Sequence, residues 1–102
     1  MWLEVLREEE VHDGHGVCVE VGDERIAVFR DGERLYALGD RCSHAEASLS
    51  EGDVFDGEVE CPRHGSTFDL ATGNAKTLPA TRPVPTYRVR ARDGIVEVEV
   101  TK

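Results

Sequence analysis

Two short segments each carry one thiol and one imidazole, Cys42-Ser43-His44 and Cys61-Pro62-Arg63-His64, with 16 residues between His44 and Cys61. This pairing constrains the chain more than any other feature, because four metal-binding side chains are useful only if the two segments fold as loops that meet. Two thiols and two imidazoles suit tetrahedral zinc. A zinc finger, however, pairs Cys with Cys and His with His along the chain, whereas here each loop offers one of each. Two such loops facing one another can place both thiolates on one metal and both imidazoles on a second. The third cysteine, Cys18, stands between Val17 and Val19 and reads as a small buried hydrophobe. An odd cysteine count argues against a disulfide framework and for metal or redox use.

The surroundings of these loops read as one domain over residues 1–102, since 102 residues cannot fill two cores. With 39% hydrophobic residues the chain supplies a modest core of its own. A formal net charge of −9 excludes binding to nucleic acid by general phosphate neutralisation. Neither a basic start with an apolar run nor an 18-residue apolar stretch is present, so the expectation is a cytoplasmic monomer with no membrane partner. Through Glu60 there are 17 acidic and 5 basic side chains, and from Cys61 onward 4 acidic and 7 basic. Such segregation describes either two solvated faces of one domain or a charged docking surface. His12 and His15 fall in a Gly-rich turn and read as solvated.

No 3.6-residue periodicity persists, while alternating and β-branched runs recur between turn signals, which predicts an all-β fold. Residues 2–6 read as a first strand and 7–10 as a single helical turn. Segments 17–21, 25–30 and 33–38, separated by Gly22-Asp23 and Asp31-Gly32, predict an antiparallel meander. Residues 86–92 and 95–100 predict a closing hairpin whose basic and acidic outer faces lie opposite each other. Between them, residues 39–85 hold all four Pro residues and five of the ten Gly residues, and predict a long irregular insertion carrying the function.

The ordered mixture of ligands is what a [2Fe–2S] centre needs when His replaces Cys on one of its two irons. The stretches Cys42-Ser43-His44-Ala45-Glu46-Ala47-Ser48-Leu49-Ser50-Glu51-Gly52 and Glu60-Cys61-Pro62-Arg63-His64-Gly65-Ser66-Thr67-Phe68-Asp69-Leu70-Ala71-Thr72-Gly73 resemble the Rieske ferredoxins, especially those that feed bacterial aromatic-ring dioxygenases. The resemblance implies an antiparallel Rieske-like β-sandwich with a cluster-binding insertion of two loops plus a Pro-rich loop, here residues 78–85 including Pro79. It implies that Cys42 and Cys61 hold an inner ferric iron, and that His44 and His64 hold an outer iron near the surface. Ser66 matches the position whose hydroxyl donates to a bridging sulfide, Gly65 and Gly52 leave room for backbone beside the cluster, and Phe68 and Arg63 fall next to it. Ala47 and Arg63 stand where high-potential relatives carry disulfide cysteines, and Phe68 where they carry a tyrosine, which implies the lower half of the Rieske range of roughly −150 to +300 mV.

Thiolates stabilise the iron that stays ferric, and neutral imidazoles leave the other less negatively surrounded, so the added electron localises there. Outside these loops the chain offers no general base or nucleophile, which points to an electron carrier rather than an enzyme. The expected partners are a flavin-dependent reductase and a terminal oxygenase. The alternatives are a Rieske small subunit of a larger oxidoreductase such as nitrite reductase, and a zinc-binding interaction module.

Overall fold

A computed structural model describes residues 1–43, 46–63, 65–78 and 80–100. The described residues form ten strands and two 3-10 turns, and the strands outside residues 39–85 follow the sequence pattern closely. β1 (Trp2–Arg7) leads into a 3-10 turn over Glu8–Glu10. β2 (Gly16–Val21), β3 (Glu24–Asp31) and β4 (Arg34–Gly39) form the antiparallel meander, in register from Val19↔Ile26 to Phe29↔Tyr36. In the insertion, β5 (Val54–Phe55), β6 (Glu58–Glu60) and β7 (Thr67–Asp69) pair antiparallel. β8 (Thr86–Tyr87) then joins the open edge of β4, and β9 (Val89–Arg92) and β10 (Ile95–Glu99) make the closing hairpin.

β1 pairs antiparallel with β10, so the two chain ends share one sheet in the order β1-β10-β9. The alternation of basic and acidic residues in the closing hairpin does what its register requires. Arg90 faces Glu97 across the strands, with Nε 2.6 Å from the carboxylate, and Arg88 reaches Glu99 at 3.2 Å. The Arg90 guanidinium also lies 3.9 Å from the centre of the Trp2 ring, a cation–π contact that joins the edge strands over β10. Two of the seven basic side chains of the C-terminal half are thereby paired within their own sheet.

The run Ile26-Ala27-Val28-Phe29 is fully buried because β3 has apolar neighbours on both faces. Ile26 and Val28 face the terminal sheet and pack with Val96, Val98 and Ala37, while Ala27 and Phe29 face the insertion and pack with Leu38, Leu49, Val59 and Phe68. The middle sheet, ordered β2-β3-β4-β8, therefore separates two cores. One stabilises the terminal sandwich, and the other belongs to the functional loops.

The insertion is more regular than its composition predicts. It contains the three-stranded sheet β5-β6-β7 and a 3-10 turn at Leu49–Glu51. Its strands are two and three residues long, too short for alternation to register as a pattern. Gly52 shows why the segment needs glycine: a Cβ there would lie 1.9 Å from the Glu60 carbonyl oxygen, so only a bare Cα lets the chain following the turn pass beside β6.

Candidate metal centre

The two Cys-bearing segments close in the same way. The Cys42 N–H donates to Ala47 O at 3.0 Å, and the Cys61 N–H donates to Ser66 O at 2.7 Å, each reaching five residues ahead. The first loop is shut at its base by an antiparallel bridge between Arg41 and Ser48. The second is the tip of the β6–β7 hairpin, whose last ladder pair is Glu60↔Thr67. Gly65 adopts φ +78° and returns its N–H to Cys61 O at 3.0 Å, a left-handed turn that favours glycine. Two loops of equal reach thus each begin on a cysteine.

Both thiols are turned inward. Cys42 and Cys61 are 3% and 1% exposed, neither is in a disulfide, and both pack in the core that contains Leu49, Phe68, Leu70 and Ala80. Two reduced thiols within one apolar cluster, each at the mouth of a loop whose sequence supplies an imidazole, fit the thiolate half of a [2Fe–2S] cluster. An apolar shell also limits water at the metal, which raises the effect of each nearby dipole. His44 and His64 lie outside the described residues, as does Pro79.

The third loop is fastened to both of the others. Ser43 Oγ donates to Arg82 O at 2.7 Å, linking it to the first loop. Ser66 Oγ, fully buried, accepts from the Ala80 N–H at 3.0 Å, linking it to the second. Val84 N–H donates to Gly73 O and Gly39 N–H to Pro85 O, anchoring the far end. Accepting from Ala80 leaves the Ser66 hydroxyl proton available to donate to a further acceptor. Phe68 is fully buried, pairs with Val59 across β6 and β7, and shares the core of the two cysteines. Arg63 is exposed on the second loop, and among the described residues it has no ion-pair partner; Arg41 beside Cys42 is instead paired with Glu46.

Asp40 is the functional candidate that sequence reasoning missed. It is 2% exposed, and its carboxylate accepts from Ser48 Oγ at 2.5 Å and from Ser50 N–H at 2.9 Å. An acid at a strand end is an ordinary sequence feature, and only the two serines eight and ten residues later signal a partner. Cys18 corrects its expectation in the opposite sense. It belongs to neither core: β2 turns Val17, Val19 and Val21 toward the terminal sheet, so Cys18 emerges half-buried on the other face. There the Arg25 guanidinium donates to its sulfur at 3.6 Å. Burial pushes the Cys18 thiol pKa up, against the pull of Arg25. His12 and His15 are exposed, as expected of solvated turn residues.

The Rieske [2Fe–2S] domain model matches residues 1–88. The anthranilate 1,2-dioxygenase ferredoxin subunit of Burkholderia cepacia is 53% identical over 79 residues, covering 78% of this chain and 73% of that protein. The 3-phenylpropionate/cinnamic acid dioxygenase ferredoxin subunit of Photorhabdus laumondii is 44% identical over 101 residues, covering 98% and 95%. A solved complex of reduced oxygenase and oxidised ferredoxin in carbazole 1,9a-dioxygenase matches at 38% identity with a TM-score of 0.87, covering 95% of this chain and 91% of the matched chain. The buried thiols, the paired loops and these matches set aside the zinc reading. The chain belongs to the Rieske [2Fe–2S] domain family, as an electron-transfer protein of the ferredoxin kind that uses a Rieske-type cluster.

Proposed function

We propose that this protein is the ferredoxin of a multicomponent ring-hydroxylating oxygenase, accepting one electron at a time from a flavin-dependent reductase and delivering it to the terminal oxygenase. The observation that carries the reading is the burial of Cys42 and Cys61 in one core, at the starts of two loops closed alike. In this assignment Cys42 and Cys61 bind the inner iron, and His44 and His64 bind the outer iron. The chemistry a cluster held by these residues would supply is reversible one-electron transfer.

The residues around it act on the energy and path of that electron. The Gly65 turn shapes the second loop, and in this reading the Ser66 hydroxyl would donate to the cluster's sulfur, dispersing negative charge and favouring the reduced form. Phe68, Leu49 and Ala80 keep water from the inner side, so exchange with a partner occurs through the loop tips. Arg63 and Arg82, exposed and unpaired with acids among the described residues, give the tip a local positive character on a chain of net charge −9. The domain spans the whole chain and works as a cytoplasmic monomer, because one cluster per chain suffices for a shuttle.

The test is reconstitution. The reduced protein, mixed anaerobically with a ring-hydroxylating oxygenase of the dioxygenase systems its relatives serve, should reoxidise with one electron transferred per chain. Iron and sulfide should be lost in Cys42→Ser, and retained in Cys18→Ser. A Cys42→Ser protein with intact visible absorption overturns the ligand assignment. A native holoprotein that no such oxygenase reoxidises overturns the carrier role proposed here.

A further inference from the structure

Asp40 is a buried carboxylate that the cluster chemistry does not itself require. It precedes Cys42 by two residues, a span of at most about 7 Å of extended chain. Every polar atom of the residue is engaged: Oδ2 accepts from Ser48 Oγ, Oδ1 from the Ser50 N–H, and the main-chain oxygen from the Leu49 N–H at 2.6 Å. Its own N–H donates to Arg25 O at 2.9 Å, and the Arg25 guanidinium stands 3.5 Å from Oδ2 with its side chain 60% exposed. One residue therefore joins the end of β4 to Ser48, Leu49 and Ser50, the three residues that follow the first loop.

An uncharged amide keeps one accepting oxygen for the Ser50 N–H, and its NH2 can donate to Ser48 Oγ, a hydroxyl that accepts as well as donates, so hydrogen bonding alone does not require an acid here. Burying a charge is costly unless it is paired, and its only cationic partner among the described residues is on the solvent side. A charge kept at such a position acts on whatever charge develops nearby, and reduction of the cluster adds one.

We propose that Asp40 is a positioning residue for the first cluster loop, and that the opposed charges of Asp40 and Arg25 help set the energy of the electron on the cluster. This inference rests on the assignment of Cys42 as a ligand. The carboxylate holds the base of the loop through Ser48 and Ser50, which fixes the direction in which Cys42 enters the core. Its negative charge opposes reduction, and the Arg25 cation favours it. For a unit charge on the order of 10 Å from the added electron, at an effective dielectric of about 20–80, the reduced-to-oxidised ratio changes about two- to sixteen-fold.

The experiment is an anaerobic potentiometric titration of the holoprotein, with iron and sulfide measured on each sample. At the wild-type midpoint, Asp40→Asn should raise the reduced-to-oxidised ratio about two- to sixteen-fold. Arg25→Gln should lower it, by less because the guanidinium is largely in water, and the double variant should return toward wild type. Asp40→Ala, which removes the hydrogen bonds as well, should retain less iron after dialysis than Asp40→Asn. Shifts of the same sign in Asp40→Asn and Arg25→Gln overturn the charge assignment, because a merely loosened loop affects both alike. If Asp40→Asn does not assemble a cluster, Arg25→Gln decides by itself: an unchanged ratio overturns the charge assignment. Full iron retention in Asp40→Ala overturns the positioning role. A Cys42→Ser control that keeps its iron and sulfide instead overturns the ligand assignment beneath the proposal.

Discussion

The hydroxyl of Ser66, with no exposed surface, accepts the backbone N–H of Ala80 at 3.0 Å across fourteen residues of sequence. This bond fixes the Pro-rich loop over the second cysteine loop. Ser66→Ala leaves the Ala80 N–H buried without a partner, a loss of about 1–3 kcal/mol. In a domain of this size each kcal/mol lowers Tm by about 4–8 °C. In the proposed assignment the same change also removes a donor to the cluster's sulfur, so the midpoint potential should fall. Calorimetry and voltammetry on the holoprotein check both; an unchanged Tm would show that other contacts hold the loop.

Gly52 has no such latitude. Its added Cβ would meet the Glu60 carbonyl oxygen at 1.9 Å, and backbone on both sides leaves nothing flexible to yield. Gly52→Ala should therefore separate the Leu49–Glu51 turn from β6, costing more than the roughly 1–3 kcal/mol typical of an overpacked core. Since Cys61 directly follows β6, iron content should drop as well. Gly22→Ala is the control, because its Cβ would meet nothing within 4 Å, and it should keep the cluster despite strain from its positive φ.

Tyr87 on β8 donates its hydroxyl to Glu24, and burial together with that carboxylate pushes its pKa up to about 12. The unfolded chain ionises its tyrosines near about 10. The folded state thus holds the proton more tightly, so the stabilising contribution is complete below about pH 10 and is lost as pH rises toward about 12. Thermal melts should show a steeper alkaline decline for wild type than for Tyr87→Phe over that interval. Parallel declines would mean that Tyr87 titrates as it does in the unfolded chain.

The strands of the frame were legible because each has enough alternation to reveal its period, and the turn signals at Gly22-Asp23 and Asp31-Gly32 mark its hairpins. The pairing of β1 with β10 was not, since it joins residues almost a full chain length apart and no local pattern encodes it. In the insertion, the Cys/His spacing alone announces the centre, but the sheet β5-β6-β7 is hidden in strands of two or three residues. Cys18 misled because β3 and β4 bury both faces whereas β2, at the edge of its sheet, buries chiefly one. Asp40 escaped notice because its role depends on partners eight and ten residues ahead, which only the closed loop brings to its carboxylate.

The central claim is a cluster with unlike ligands on its two irons, and the midpoint potential of the purified protein tests it most directly. Imidazole ligation of one iron raises the potential far above the roughly −400 mV of plant-type ferredoxins with four thiolates. Phe68, in the buried position beside the cysteines, has no hydroxyl to donate toward sulfur, which keeps the value from the top of the range. Protein-film voltammetry at neutral pH should give a one-electron wave in the lower half of about −150 to +300 mV. A wave near about −400 mV, or no reversible wave from protein with full iron and sulfide content, would contradict the account.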